Sequence, residues 1–372
     1  MRREFVHEWF SRTAAEYPSS IAIETANERI TYAELERRSD LVAQSLYAGK
    51  AAQRDIVAIF ANDGVLIIEA IIGILKRGCA FVTVSPELPD QRIHAMLEIA
   101  KPVCAIVEPG FDERFQQVTS GSLRQIEINA SGADSDWKGE WQPDDLCYIF
   151  FTSGSTGGPK GIAGRLKAID HFIRWEINEF GFGPGVRVSQ LTAPSFDAVL
   201  RDIFVPLCAG GTICIPPARN NIILDGAQLV EWLDNQAINV IHTVPSIFRN
   251  LVENADGQKL ERLTHVLLSG ERLTSAIVKR WFDAGGERTT IVNLYGPTET
   301  TMTKFFHVVT PADLDSSSIT IGKPMPGTKA ILLNEDGHPC AEGAVGEIII
   351  RTPHRSLGYY GAPELTSQVF VR

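Results

Sequence analysis

The sequence predicts an α/β protein: two doubly wound, mostly parallel sheets in helix-covered layers, followed by a C-terminal antiparallel sheet or half-barrel. Three observations predict it. The chain has 372 residues, more than the roughly 250–300 that one hydrophobic core supports. Short β-branched runs alternate with longer amphipathic stretches, and repeated βα units imply parallel sheets with helices on both faces. Past Lys304 the helical pattern stops, and short strands separated by turns replace it.

Taken in order, Ile56–Phe60 reads as a strand and Val65–Lys76 as a helix closed by Gly78. Phe81–Val84 is a strand, Gln91–Ala100 a helix and Val103–Val107 a strand. A polar loop, Ser131–Trp137, precedes a buried strand at Leu146–Phe151. The alternation resumes with strands at Val188–Leu191, Thr212–Ile215, Asn239–Thr243, His265–Ser269 and Thr290–Leu294. Thr320–Gly322, Lys329–Leu333 and Glu347–Arg351 are short strands, with a hairpin turn at Glu335-Asp336-Gly337 and a helix at Glu364–Val369. These readings divide the chain into a first α/β part (1–180), a second (181–304) and a β-rich part (305–372). The chain stops at Val371-Arg372 inside an apparent helix, which reads as a fragment.

Composition narrows the function. With 35 Lys+Arg against 45 Asp+Glu the net charge is −10, which argues against a non-specific nucleic-acid binder. The 44% hydrophobic and 22% charged content is that of a globular chain. The longest apolar stretch, around Val65–Leu75, contains Glu69 and is shorter than the ~20 residues a membrane span needs. No secretory leader is read, so the expectation is a soluble cytoplasmic protein. Cys79, Cys104, Cys147, Cys208, Cys214 and Cys340 form no Cys-x-x-Cys pair, and the expectation is reduced, mostly buried thiols.

Two segments carry chemistry. Phe151-Thr152-Ser153-Gly154-Ser155-Thr156-Gly157-Gly158-Pro159-Lys160-Gly161 leaves the end of a buried strand, where open α/β sheets place ligands. Its hydroxyls, glycines and lysine suit a polyanion. It is not a Walker P-loop: counted from Gly154, that pattern needs Gly at Pro159 and Ser or Thr at Gly161. By itself the segment also reads as a flexible surface loop. Asn293-Leu294-Tyr295-Gly296-Pro297-Thr298-Glu299-Thr300-Thr301 again comes after a buried strand and offers an aromatic face, a hydroxyl and a hard oxygen ligand for Mg²⁺. Alone it also reads as a Gly-Pro turn before a helix.

Together with Thr31-Tyr32-Ala33-Glu34-Leu35, Leu75-Lys76-Arg77-Gly78-Cys79-Ala80-Phe81-Val82, Gly346-Glu347-Ile348 and Gly358-Tyr359-Tyr360, these segments appear in the order of a known family. The chain resembles the large N-terminal part of a nonribosomal peptide synthetase adenylation domain, of the adenylate-forming family. That resemblance implies an ATP-dependent ligase that joins an amino acid to AMP and passes it to phosphopantetheine on a peptidyl carrier domain. Carrier and condensation domains of a larger synthetase would be its partners, with neither nucleic acid nor membrane involved. Thr152, Ser153, Gly154, Ser155, Thr156 and Lys160 would hold the phosphates. Gly270 and Glu271 would border the adenine, Asn293 would bond its edge, Tyr295 would stack on it, and Gly296 would also belong to the nucleotide site. Thr298 would contact the α-phosphate and Glu299 would ligate Mg²⁺.

The resemblance also places Asp197, Ala198, Arg201, His242, Leu267, Ser269, Leu294, Met302 and Thr303 around the substrate. Asp197 would answer the α-ammonium. On residues alone, Arg201 reads as an i,i+4 partner of Asp197 and His242 as a core histidine. The resemblance turns both toward the ligand, where a guanidinium suits a carboxylate, so the expected substrate is aspartate, β-methylaspartate or glutamate. The pocket opening Asp197-Ala198-Arg201-His242 resembles β-methylaspartate-activating domains of microcystin-type synthetases. The sequence departs from the family at Phe196-Asp197-Ala198-Val199, Leu166 and Val84-Ser85-Pro86. The family's ribose-binding Asp, hinge and small C-terminal lid with its Lys would lie beyond Arg372, which implies an impaired fragment. The alternatives are a stand-alone acyl- or aryl-acid CoA ligase, or a fragment that binds nucleotide and amino acid without turnover.

Overall fold

The computed structural model describes residues 4–129, 137–153, 158–255 and 260–371. The chain opens with α1 (Val6–Glu16), β1 (Ile21–Glu24), β2 (Arg29–Thr31) and α2 (Tyr32–Ala48). The alternation expected from Ile56 continues as β3 (Ile56–Phe60), α3 (Gly64–Arg77), β4 (Ala80–Val84), α4 (Asp90–Ala100), β5 (Cys104–Val107), α5 (Asp112–Thr119) and β6 (Arg124–Gln125). Next come β7 (Leu146–Ser153), β8 (Pro159–Arg165), α6 (Leu166–Phe180), β9 (Arg187–Ser189), α7 (Val199–Ala209) and β10 (Thr212–Cys214). After them stand α8 (Arg219–Ile222), α9 (Gly226–Asn235), β11 (Val240–Thr243), α10 (Pro245–Asn254), β12 (His265–Leu268), α11 (Ser275–Asp283) and β13 (Thr290–Tyr295). The chain closes with β14 (Phe305–Val308), β15 (Lys323–Pro324), β16 (Lys329–Leu333), β17 (Glu347–Arg351), β18 (Gly358–Tyr359) and α12 (Pro363–Val369).

These elements form two compact units. One comprises Met1–Val186, Thr192–Ile215 and Ser356–Arg372, the other Arg187–Leu191 and Pro216–Arg355. The first unit carries a seven-stranded sheet in the order β18-β8-β7-β4-β3-β5-β6. β3, β4, β5 and β7 run parallel, whereas β8 and β18 add on as antiparallel strands. Every residue of β3 and β4 is buried, which is why their sequences read as unbroken apolar runs rather than alternating ones. One face packs Phe60, Val82, Ile93, Met96, Phe115 and Phe151 into a single core. α3 starts where Asp63 Oδ1 accepts from Leu66 N at 2.7 Å and stops at Gly78, whose φ of 81° is the left-handed cap that glycine takes without strain. A separate set in this unit pairs β1 with β10 in parallel and with β2 antiparallel.

In the second unit β9, β11, β12 and β13 are parallel, and β14 and β15 continue antiparallel from β13. β16 and β17 form the small antiparallel sheet expected in the C-terminal part. One expectation there fails: Thr320–Gly322 is not a strand, and pairing starts at Lys323 instead. Gly322 holds φ 75°, and a Cβ there would lie 2.1 Å from the Phe306 carbonyl oxygen, so the chain turns at this point rather than extending. Among the described residues no helix is long and apolar enough to cross a membrane.

Candidate functional site

In the first unit, β7 and β8 form a hairpin whose register sets Thr152 opposite Lys160 and Ser153 opposite Pro159. Directly opposed residues project to the same side of a sheet, so the Thr152 hydroxyl and the Lys160 ammonium leave the hairpin on one face. Gly154, Ser155 and Thr156 lie outside the described residues, as does the Ser153 side chain. The glycines of β8 serve packing: a Cβ at Gly164 would sit 1.9 Å from the Tyr148 ring. Lys160 Nζ stands 5.8 Å from the centroid of the Tyr359 ring. Both residues line a cavity of about 460 Å³, together with Glu98, Lys101 and Tyr360.

Asp197, Ala198 and Arg201 sit at the start of α7. Arg201 N donates to the Ala198 carbonyl at 3.2 Å, and Leu200 N to that of Asp197 at 3.1 Å. Asp197 is 6% exposed and Arg201 only 2%. A guanidinium so far from water is stable only where carboxylates or other acceptors answer it.

The second unit collects its expected residues at the C-terminal ends of three adjacent parallel strands, where open α/β sheets bind ligands. His242 on β11 pairs in register with Leu267 on β12, and Leu267 with Val292 on β13. Side chains alternate with period two along a strand. His242, Leu267 and Ser269, and beyond Val292 also Leu294, therefore belong to one face. Asn293 and Tyr295 belong to the other. His242 and Leu267 are fully buried.

The remaining residues divide by what they already bond. Asn293 Nδ2 donates to the Thr320 carbonyl at 2.9 Å, which anchors the loop before β15. Glu271 accepts from Ser246 N at 2.9 Å and Ser246 Oγ at 2.8 Å, so its carboxylate caps the N-terminus of α10. Gly270, beside it, holds φ 90°. Tyr295 is exposed and its ring lies 5.8 Å from that of Phe305. Thr298 and Glu299, both half-buried, fall in a 3₁₀ turn, Thr298–Thr300. No cluster of three or more His, Cys, Asp or Glu suited to a metal exists among the described residues. Mg²⁺ on a nucleotide is generally held by one or two carboxylates plus phosphate oxygens and water rather than by such a cluster.

Sequence reasoning missed the strained loop that leads from this turn into β14. Thr301 holds φ 67° with ψ 106°, and Met302 φ 54°. A β-branched residue at positive φ is an outlier, and such strain costs on the order of 1–3 kcal/mol. Lys304 is fully buried, and its Nζ donates to the carbonyls of Thr301 at 2.7 Å and Thr303 at 3.1 Å. Lys304 N also donates to the Tyr295 carbonyl at 2.8 Å, closing the loop at its neck. Within it Gly296 leaves no space, since a Cβ would lie 2.7 Å from Lys304 N. Thr303 is 5% exposed, yet its Oγ1 finds no hydrogen-bond partner among the described residues. The available signal was a lysine placed directly before Phe305-Phe306, where an apolar strand begins.

Comparison with known proteins adds to this geometry. The AMP-binding enzyme family matches residues 10–360. The nonribosomal peptide synthetase atnA of Emericella nidulans is 32% identical over 98% of this chain, and tyrocidine synthase 3 of Brevibacillus parabrevis is 28% identical over 100% of it. The chain spans only 5% and 6% of the lengths of these two relatives. Among solved structures, the AMPPNP-bound form of the nonribosomal peptide synthetase FmoA3 (S1046A) aligns with a TM-score of 0.86 at 25% identity, over 100% of this chain and 40% of that one.

Proposed function

Because the chain belongs to the AMP-binding enzyme family, we propose that it is the large part of an adenylation domain that activates an acidic amino acid with ATP. The product is an aminoacyl-adenylate, which the phosphopantetheine thiol of a peptidyl carrier domain then accepts. The substrate carboxylate attacks the α-phosphorus; a new P–O bond forms and the bond to pyrophosphate breaks. Such a reaction needs positioning and charge neutralisation rather than covalent participation by protein.

In this reading Thr152 and Lys160, set opposite each other on the β7–β8 hairpin, hold phosphate oxygens. Thr298 meets the α-phosphate, and Mg²⁺, where bound, neutralises phosphate charge beside Glu299. Tyr295 supplies the adenine face. Asn293, whose amide N–H is engaged with Thr320, has its carbonyl oxygen left to accept from the base. The unpartnered Thr303 hydroxyl and the shared face of His242, Leu267 and Leu294 supply the substrate wall.

The single observation that carries the acidic substrate is the burial of Arg201, 2% exposed at the head of α7 beside Asp197. Asp197 answers the substrate ammonium and Arg201 its second carboxylate, with aspartate or β-methylaspartate ahead of glutamate. Asparagine is nearly isosteric but carries no charge for the guanidinium, so discrimination on the order of 10²–10⁴-fold is expected. ATP–pyrophosphate exchange by the parent synthetase with aspartate, asparagine and leucine tests this. Arg201→Ala should abolish the diacid preference. Equal exchange with all three amino acids in the wild type would end the acidic reading.

A further inference from the structure

The loop between β13 and β14 poses a problem that the proposed chemistry does not solve. Thr301 and Met302 hold positive φ although neither is glycine, and Thr301 adds a ψ of 106°, outside the left-handed well. Left to itself this stretch would relax. Backbone preference works against the strained form: threonine is among the residues least suited to it. One stabilising element is Lys304, whose fully buried ammonium bridges the Thr301 and Thr303 carbonyls on either side of Met302. Ammonium-to-carbonyl bonds away from water are charge-assisted and far stronger than exposed ones. Lys304 N on the Tyr295 carbonyl and the Tyr295–Phe305 register then tie this clamp to the sheet.

We propose that Lys304 is a positioning residue: its ammonium holds Thr301 and Met302 in their strained conformation and so sets Met302 and Thr303 as substrate wall and Glu299 toward the nucleotide. The inference rests on the adenylation reading above. It assigns Lys304 no contact with substrate, only with the backbone that carries those residues.

The test is amino-acid-dependent ATP–pyrophosphate exchange by the parent synthetase in four forms: wild type, Lys304→Met, Thr301→Gly and the double variant. Methionine keeps the length of the side chain without its donors. Lys304→Met should lower kcat/KM for the amino acid, and it should lower the thermal midpoint as well, because the Thr301 and Thr303 carbonyls lose this buried donor. Thr301→Gly alone should stay close to wild type, because glycine adopts positive φ without a clamp. In the Lys304→Met background, Thr301→Gly should restore about five- to thirtyfold of the loss, the factor corresponding to one residue's left-handed penalty. A structural defect unrelated to the strained turn would not be repaired by that glycine. Unchanged kcat/KM in Lys304→Met overturns the proposal, as does a double variant no better than Lys304→Met. Should Lys304→Met fail to fold, the double variant decides: recovery of fold and exchange supports the clamp, and failure of both refutes it. A wild type that exchanges with no amino acid refutes the adenylation reading itself, a result separable from every variant outcome.

Discussion

Burial acts on single side chains in a way that alkali can expose. The fully buried Cys79 and Cys104 thiols are pushed up, from an ordinary value of 9.0 to about 12 and about 11, chiefly by desolvation. In the unfolded chain both ionise above pH 9, while in the folded chain they stay protonated. Their contribution is therefore fully present below pH 9 and is lost as pH rises toward 11 and 12. The loss is about 1.4 kcal/mol per thiol per pH unit in that window. Thermal midpoints measured from pH 8 upward should fall less steeply in Cys79→Ala/Cys104→Ala than in the wild type; parallel slopes would contradict this account. Legibility at this scale was uneven. Thiol burial could be read from apolar neighbours. The shared face of His242, Leu267 and Leu294 depends on a parallel register between strands more than twenty residues apart in sequence, which no local pattern encodes. Lys304 looked like any lysine, because its partners are carbonyls made available only by the unusual backbone around it.

At the level of elements, patterning worked where burial was complete. β3 was expected over the five residues it occupies, and α3 extends its predicted span by a residue at each end. It worked less well where composition and role diverge. β8 begins with Pro159-Lys160-Gly161, the end of a segment that by itself also reads as a flexible loop, yet it is a paired strand whose glycines Gly161 and Gly164 make room for the Ile149 and Tyr148 side chains. Gly73 shows the same logic in a helix. A Cβ there would lie 2.5 Å from Val42 Cβ and 2.6 Å from the Ser39 carbonyl oxygen, both on α2. Helix propensity alone favours alanine by roughly 1 kcal/mol, but overpacking this contact should cost about 1–3 kcal/mol. Gly73→Ala should therefore lower the urea midpoint with the slope unchanged. A rise in the midpoint would show that α2 and α3 can separate at little expense.

Across the whole molecule the thiols give a direct measure of native packing. All six cysteines are free; five are buried, and Cys340 is half-buried near the β16–β17 ribbon. Reaction with an aromatic disulfide reagent should titrate one thiol quickly in the native chain and six in denaturant, and more than one fast thiol would mean that a core is open. The net charge of −10 is carried by a chain whose proposed partner, ATP, is itself an anion. Attraction must then come from local groups such as Lys160 rather than from the global field. The strand ends of the second unit have a further consequence, for how such a protein can diversify. The ladder joining β11, β12 and β13 is made by backbone N–H and C=O groups that every residue except proline possesses. Exchanging side chains at 242, 267, 269 and 294 leaves those bonds in place. In the vocabulary of directed evolution, these four sites form a small combinatorial library on a scaffold that does not need redesigning. His242, Leu267 and Leu294 are buried, so sets of substitutions that conserve their summed volume should be accepted together more often than sets that do not.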